Sequence, residues 1–112
     1  MQAGSLDDRV TIQRLVAASP DVTGSGMPDE SWQDYLTVYA SVEPLSGRDL
    51  FAAQEHHAEV TTRIRIRYRD GITAKMRIVD GDGTIYDIKG QPLKFTRDGY
   101  IEMLCTSGVT EG

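Results

Sequence analysis

Arg63, Arg65, Arg67 and Arg69 stand at every second position of "TTRIRIRYRDG", the strongest chemical signal in this chain. Alternate residues of a strand share a face, which sets such side chains ~7 Å apart. Each adjacent like-charged pair then costs about 0.6 kcal/mol in water and about 2 kcal/mol at an effective dielectric of 20. A row of this kind calls for anions. Three sources are open: acids on neighbouring strands, such as Asp87 or Glu102; carboxylates of another subunit or protein; and nucleic-acid phosphates, which arginine holds bidentately without reading sequence. The interleaved Thr, Ile and Tyr do not make the aromatic platform on which a single-strand binder stacks bases.

Two further clusters invite chemistry and fail on spacing. "EHHAE" (55–59) holds His56 and His57 between Glu55 and Glu59. On a helix the two imidazoles diverge by about 100°, and His56 with Glu59 gives only two ligands where zinc takes three or four from the protein. "DGDG" (80–83) begins like a calcium loop, but position twelve is Gln91 and the closing glutamate is missing. It reads as a hairpin turn. The chain has no G-x-S-x-G elbow and no G-x-x-x-x-G-K-[ST] phosphate cradle. Neither histidine has a recognisable nucleophile and orienter around it, so no enzyme, metal or cofactor is expected.

The elements that must carry these residues have mostly a period of two. Val10 and Ile12 share one face of "RVTIQRLV". Trp32, Leu36, Val38, Ala40 and Val42 share a face of 31–45, with Tyr35, Thr37, Tyr39, Ser41 and Glu43 opposite. Pro44 marks that strand's end. In 46–59, Ser46 and Asp49 resemble a capping box, and Leu50 to Ala53 follow without β-branching, predicting a short helix or helical loop. Thr62, Ile64, Ile66 and Tyr68 back the arginines, 75–90 is a hairpin, and 100–106 is a last strand. Residues 17–30, with two prolines and two glycines, read as a long mobile loop, and 107–112 as a flexible tail. About six strands, long loops and one short helix predict a mainly all-β single domain spanning 1–112, a small antiparallel β-barrel, with a sandwich as the alternative.

A chain of 112 residues can bury one core without staples. Its single cysteine, Cys105, forms no intrachain disulfide and reads as a small buried residue. No signal peptide, and no apolar run long enough to span a membrane, is apparent, so the cytoplasm is the expected compartment. With 17 acidic and 12 basic residues the net charge is −5.

"LDDRVTIQR", "SWQDYLTVYASVEPLSGRDLFAAQ", "TTRIRIRYRDGITAKMRIV" and "TIYDIKG", in this order from Leu6 to Cys105, resemble the head–tail joining family of tailed bacteriophages and prophages. These are head-completion, head-closure or stopper proteins. The most specific pieces are W-x-x-x-x-x-V-x-A-x-V-E-P-L-S-G-R at Trp32 to Arg48 and R-I-R-Y-R-D-G-I-T-x-K-M-R-I at Arg65 to Ile78. The resemblance implies a β-barrel subunit that forms a ring, typically twelvefold, under the portal and its adaptor. That ring closes the DNA-filled head, offers the tail a docking surface and lets double-stranded DNA pass. Val10, Ile12, Trp32, Leu36, Val38, Val42, Ile64, Ile66, Met76 and Ile78 would then be barrel core. Segment 46–59 would be a loop able to gate the channel, with Gln54, Glu55, His56, His57 and Glu59 at its tip, and either it or 17–30 could dock the partner. The row Arg63 to Arg69 would serve subunit or partner contacts. A structural protein of the virion, assembled in the host cytoplasm with portal, adaptor and tail proteins, is the expectation. A small barrel binding nucleic acid on the arginine face is its rival.

Overall fold

A computed structural model of the chain describes residues 6–17 and 30–107. Six strands and one helix follow in order: β1 (Asp8–Ala17), β2 (Glu30–Pro44), α1 (Gly47–Gln54), β3 (Thr62–Arg67), β4 (Arg77–Asp80), β5 (Ile85–Phe95) and β6 (Tyr100–Ser107). Every pairing is antiparallel, and the order β1-β2-β3-β6-β5-β4 closes into a barrel where Val10–Gln13 of β1 meet Arg77–Asp80 of β4. Closure pairs residues 10–13 of β1 on both sides, while 14–17 of β1 pair only with β2 and 30–39 of β2 only with β1, so the pair runs on as a two-stranded arm beyond the barrel. The barrel, not the sandwich, is the fold.

Period-two alternation fills the interior as expected. Val10, Ile12, Ile64, Ile66, Ile78, Ile101, Met103 and Cys105 are almost wholly excluded from solvent. Burial pushes the Cys105 thiol up to about 12, with the nearby Asp87 charge adding to it. Leu36, Val38, Val42 and Met76 pack against this core from partly buried positions, and Ile72 and Ile88 complete it. The "DGDG" segment is a turn. Gly81 N–H donates to Asp80 Oδ1 at 2.7 Å and Thr84 N–H to Asp82 Oδ1 at 3.0 Å, while Gly83 takes φ +93°.

Trp32 departs from the sequence expectation. The β1–β2 register runs Ile12↔Leu36 and then Gln13↔Asp34, so Tyr35 is an extra residue on β2. Such a bulge inverts facing beyond it. Tyr35, expected outside, packs against the core. Trp32, expected inside, lies under the Arg77 guanidinium at 4.3 Å, and Arg77 Nε also donates to Gln13 Oε1 at 2.8 Å. An alternation read without the bulge puts the tryptophan on the wrong face.

Boundaries shift as well. The loop expected over 17–30 has only its end residues described, Ala17 and Glu30, both in strands, and its interior lies outside the described residues. Ser107 closes β6, and the rest of the expected tail lies outside them too. β5 runs on to Phe95, well past the predicted hairpin.

Candidate functional site: the arginine face and the groove under the helix

The outer faces of β2, β3 and β6 settle where the arginine charge goes. Glu43 on β2 stands directly opposite Arg63, and Glu102 on β6 directly opposite Arg65. Arg63 donates from Nε and Nη2 to Glu43 Oε1 at 3.2 and 2.9 Å, and Asp49 lies 3.8 Å from its Nη1. The hydrogen bond from Arg63 holds the Glu43 carboxyl below the usual carboxylate range, against some desolvation, and the Arg63 and Arg65 charges help. Arg65 Nε donates to Glu102 Oε1 at 2.9 Å, and its guanidinium lies 5.2 Å from the Tyr100 ring, which stacks on Phe95. Arg65 is buried.

Arg67 and Arg69 differ. Both are exposed, and among the described residues neither has a carboxylate partner. Arg67 stands opposite Tyr100 and Arg69 lies past the end of β3. With Leu6, Val38, Tyr39 and Tyr68 they line a pocket of about 360 Å³. Arg9 lies 5.9 Å from the ring of Tyr39, so cations and aromatic groups meet here, and Tyr68 Oη donates to Asp70 Oδ1 at 2.8 Å beside them. The sequence signal for this difference is absent along β3 itself. It depends on which residues β2 and β6 bring across, hence on strand order and register.

The helical segment sits over the neighbouring wall. Ser46 is the N-cap of α1 but makes no side-chain cap bond, and Asp49 faces Arg63 instead of closing a capping box. α1 buries none of its residues. Of the tip residues, Gln54 Nε2 donates to Val60 O at 2.9 Å, Glu59 lies 3.8 Å from Lys89, and Glu55 and His56 are exposed. His57 lies against Gly90, where an added Cβ would come within 2.7 Å of Nε2. Gly90 has φ +76° and opens the interval Lys89–Leu93 in which the β5–β6 register shifts. Between α1 and the barrel wall runs a groove of about 340 Å³, its apolar side chains including Leu45, Ala52, Ala53, Leu93 and Leu104. The five tip residues do not converge on a common point of chemistry. Among the described residues, no group of three or more His, Cys, Asp or Glu is placed to hold a metal.

Fold and surface together define a small antiparallel barrel whose outer arginines are partly paired within the chain and partly without a carboxylate partner among the described residues. The chain belongs to the phage head completion protein family, whose model matches residues 1–108. This is a family of structural proteins of head–tail joining. Head completion protein gp7 of Enterobacteria phage HK97 is 30% identical, over 97% of this chain and 98% of its own. Head completion protein gp16 of Bacillus phage SPP1 is also 30% identical, over 94% and 91%. The solution structure of protein SF1141 from Shigella flexneri 2a is similar at a TM-score of 0.77 and 36% identity, covering 99% of this chain and 100% of that one. A chain in the virion of a native gene transfer agent particle shares the fold, at a TM-score of 0.54 and 18% identity over 91% and 94%.

Proposed function

We propose that this chain assembles as a ring at the head–tail interface, below the portal and its adaptor. There it closes the DNA-filled capsid and presents the surface on which the tail docks. The observation that carries the reading is the family match across residues 1–108, joined to a closed barrel of the same plan. The role is structural, in the virion, with assembly in the host cytoplasm. The genome passes through the ring without sequence-specific contact.

Within this reading Arg67 and Arg69 make the subunit or partner contact, and Arg63 and Arg65 hold the wall that presents them. Their internal carboxylates also support assembly over a nucleic-acid-binding barrel, because the cationic face is narrower than the sequence suggests. In this reading the segment 46–59, with Gln54, Glu55, His56, His57 and Glu59 at its tip, borders the channel. A tip without concentrated positive charge suits a passage through which phosphates slide. Removing this chain from a producing phage is expected to yield DNA-filled heads that lose their DNA, beside unattached tails, in electron micrographs. Normal tailed particles would overturn the reading. A salt-dependent gel shift by the purified protein, lost on Arg67→Glu, would favour the nucleic-acid alternative.

A further inference from the structure

We propose that the groove under α1 receives Phe51 of a second copy of this chain; the inference rests on the ring reading and names one of its subunit contacts. Phe51 is 73% exposed, the most exposed of the large hydrophobic side chains described. Because α1 buries no residue, core packing does not account for a phenylalanine there. Isolated exposed apolar residues are ordinary. The surroundings of this one are what distinguish it.

At 100° per residue, Ala53 on the groove side lies about 200° around the helix from Phe51. Knob and socket therefore occupy opposite faces of one short helix and do not meet within a chain. Between copies they meet head to tail. A contact of that kind is heterologous: it repeats from copy to copy and closes into a ring when the rotation allows. The groove, at about 340 Å³, is roomy for one aromatic ring, and Leu93 at its mouth is 46% exposed and gains cover from an incoming side chain.

Charge supports the same partner. Arg48 and Glu55, three residues before and four after Phe51, share its outward face. Neither has an ion-pair partner among the described residues. The groove is lined by Asp49, 65% exposed, and by Lys89, which is held only loosely by Glu59 at 3.8 Å. A second copy thus offers Asp49, which lies 3.8 Å from its own Arg63, to Arg48 and Lys89 to Glu55.

The test mixes two single-cysteine additions, Phe51→Cys and Leu93→Cys, the native Cys105 being buried. Under mild disulfide exchange the mixed dimer is expected to dominate over either homodimer, and a statistical mixture would overturn the inference. In parallel, Phe51→Ala, an exposed change that leaves the fold intact, is expected to weaken self-association in light scattering about thirtyfold, as for an aromatic hot spot. Association equal to wild type in Phe51→Ala overturns the inference and leaves the ring standing. Wild-type protein that never self-associates, alone or on a portal–adaptor complex, overturns the ring reading and this contact with it.

Discussion

Arg65 and Glu102 face each other across the β3–β6 pair at 2.9 Å, with side chains only 9% and 14% exposed. Two residues further along the same strand face, Arg67 is exposed and has no acid across from it. Identical residue types at identical spacing thus divide into wall and surface. The arginine row is half an internal ion-pair ladder and half an exposed pair without carboxylate partners among the described residues.

Removing one partner of a buried pair leaves the other charge desolvated and uncompensated. Arg65→Ala is therefore expected to destabilise the protein by about 3 kcal/mol or more. Arg65→Met combined with Glu102→Leu should recover most of that loss. Urea unfolding of the two singles and the double measures it, and a single-mutant loss below about 0.5 kcal/mol, the range of ordinary surface changes, would contradict the pairing.

Glu43 gives a pH signature. Its carboxyl is held below the ordinary glutamate value, first by the hydrogen bond from Arg63. The stability this adds is complete above the unfolded pKa, about 4.3, and is lost as pH falls through the lower folded value. Glu43 is 38% exposed, so solvent screening keeps the effect under about 1 kcal/mol. Arg63→Ala should raise the Glu43 pKa in a carbon-detected NMR titration. It should also lower stability at pH 7 more than at pH 3. An unmoved titration curve would rule the pairing out.

How much of this was legible in the sequence depends on range. The alternation of Ile64 and Ile66 with arginines, the "DGDG" turn and the short helix depend on neighbouring residues and were readable. Trp32 was misplaced because one bulge at Tyr35 inverts the face, and no residue type announces it. Glu102 was a candidate acid from the sequence, whereas Asp87 stands across from Arg77. Which arginine Glu102 meets, 37 positions away, and that Glu43 takes Arg63, 20 positions away, was hidden. Only the register of a closed barrel brings them across.

Cys105 should be silent to thiol reagents in the native protein. It is fully buried, and burial pushes its pKa up to about 12, so the thiolate is scarce near neutral pH. Modification by a chromogenic disulfide at pH 8 should proceed only through unfolding and should quicken in urea in step with the unfolded fraction. Rapid stoichiometric labelling of native protein would contradict the burial.

Gly90 and His57 pin the segment after α1 to the wall. Gly90→Ala meets both a positive φ and the imidazole, and a cost of about 1–2 kcal/mol is expected from the backbone alone. In the His57→Ala background the steric part should vanish and the backbone part remain. A double-mutant cycle by thermal unfolding separates them, and full additivity would show that the ring does not rest on Gly90.

Whether the chain joins the head–tail connector is read from the mass, by light scattering, of the purified chain mixed with its portal–adaptor complex. The account predicts a stable joint complex carrying several copies of the chain. It also predicts that Arg67→Glu with Arg69→Glu abolishes the complex while the monomer stays folded. A wild-type chain that elutes apart from the complex, as a monomer indifferent to it, would contradict the account.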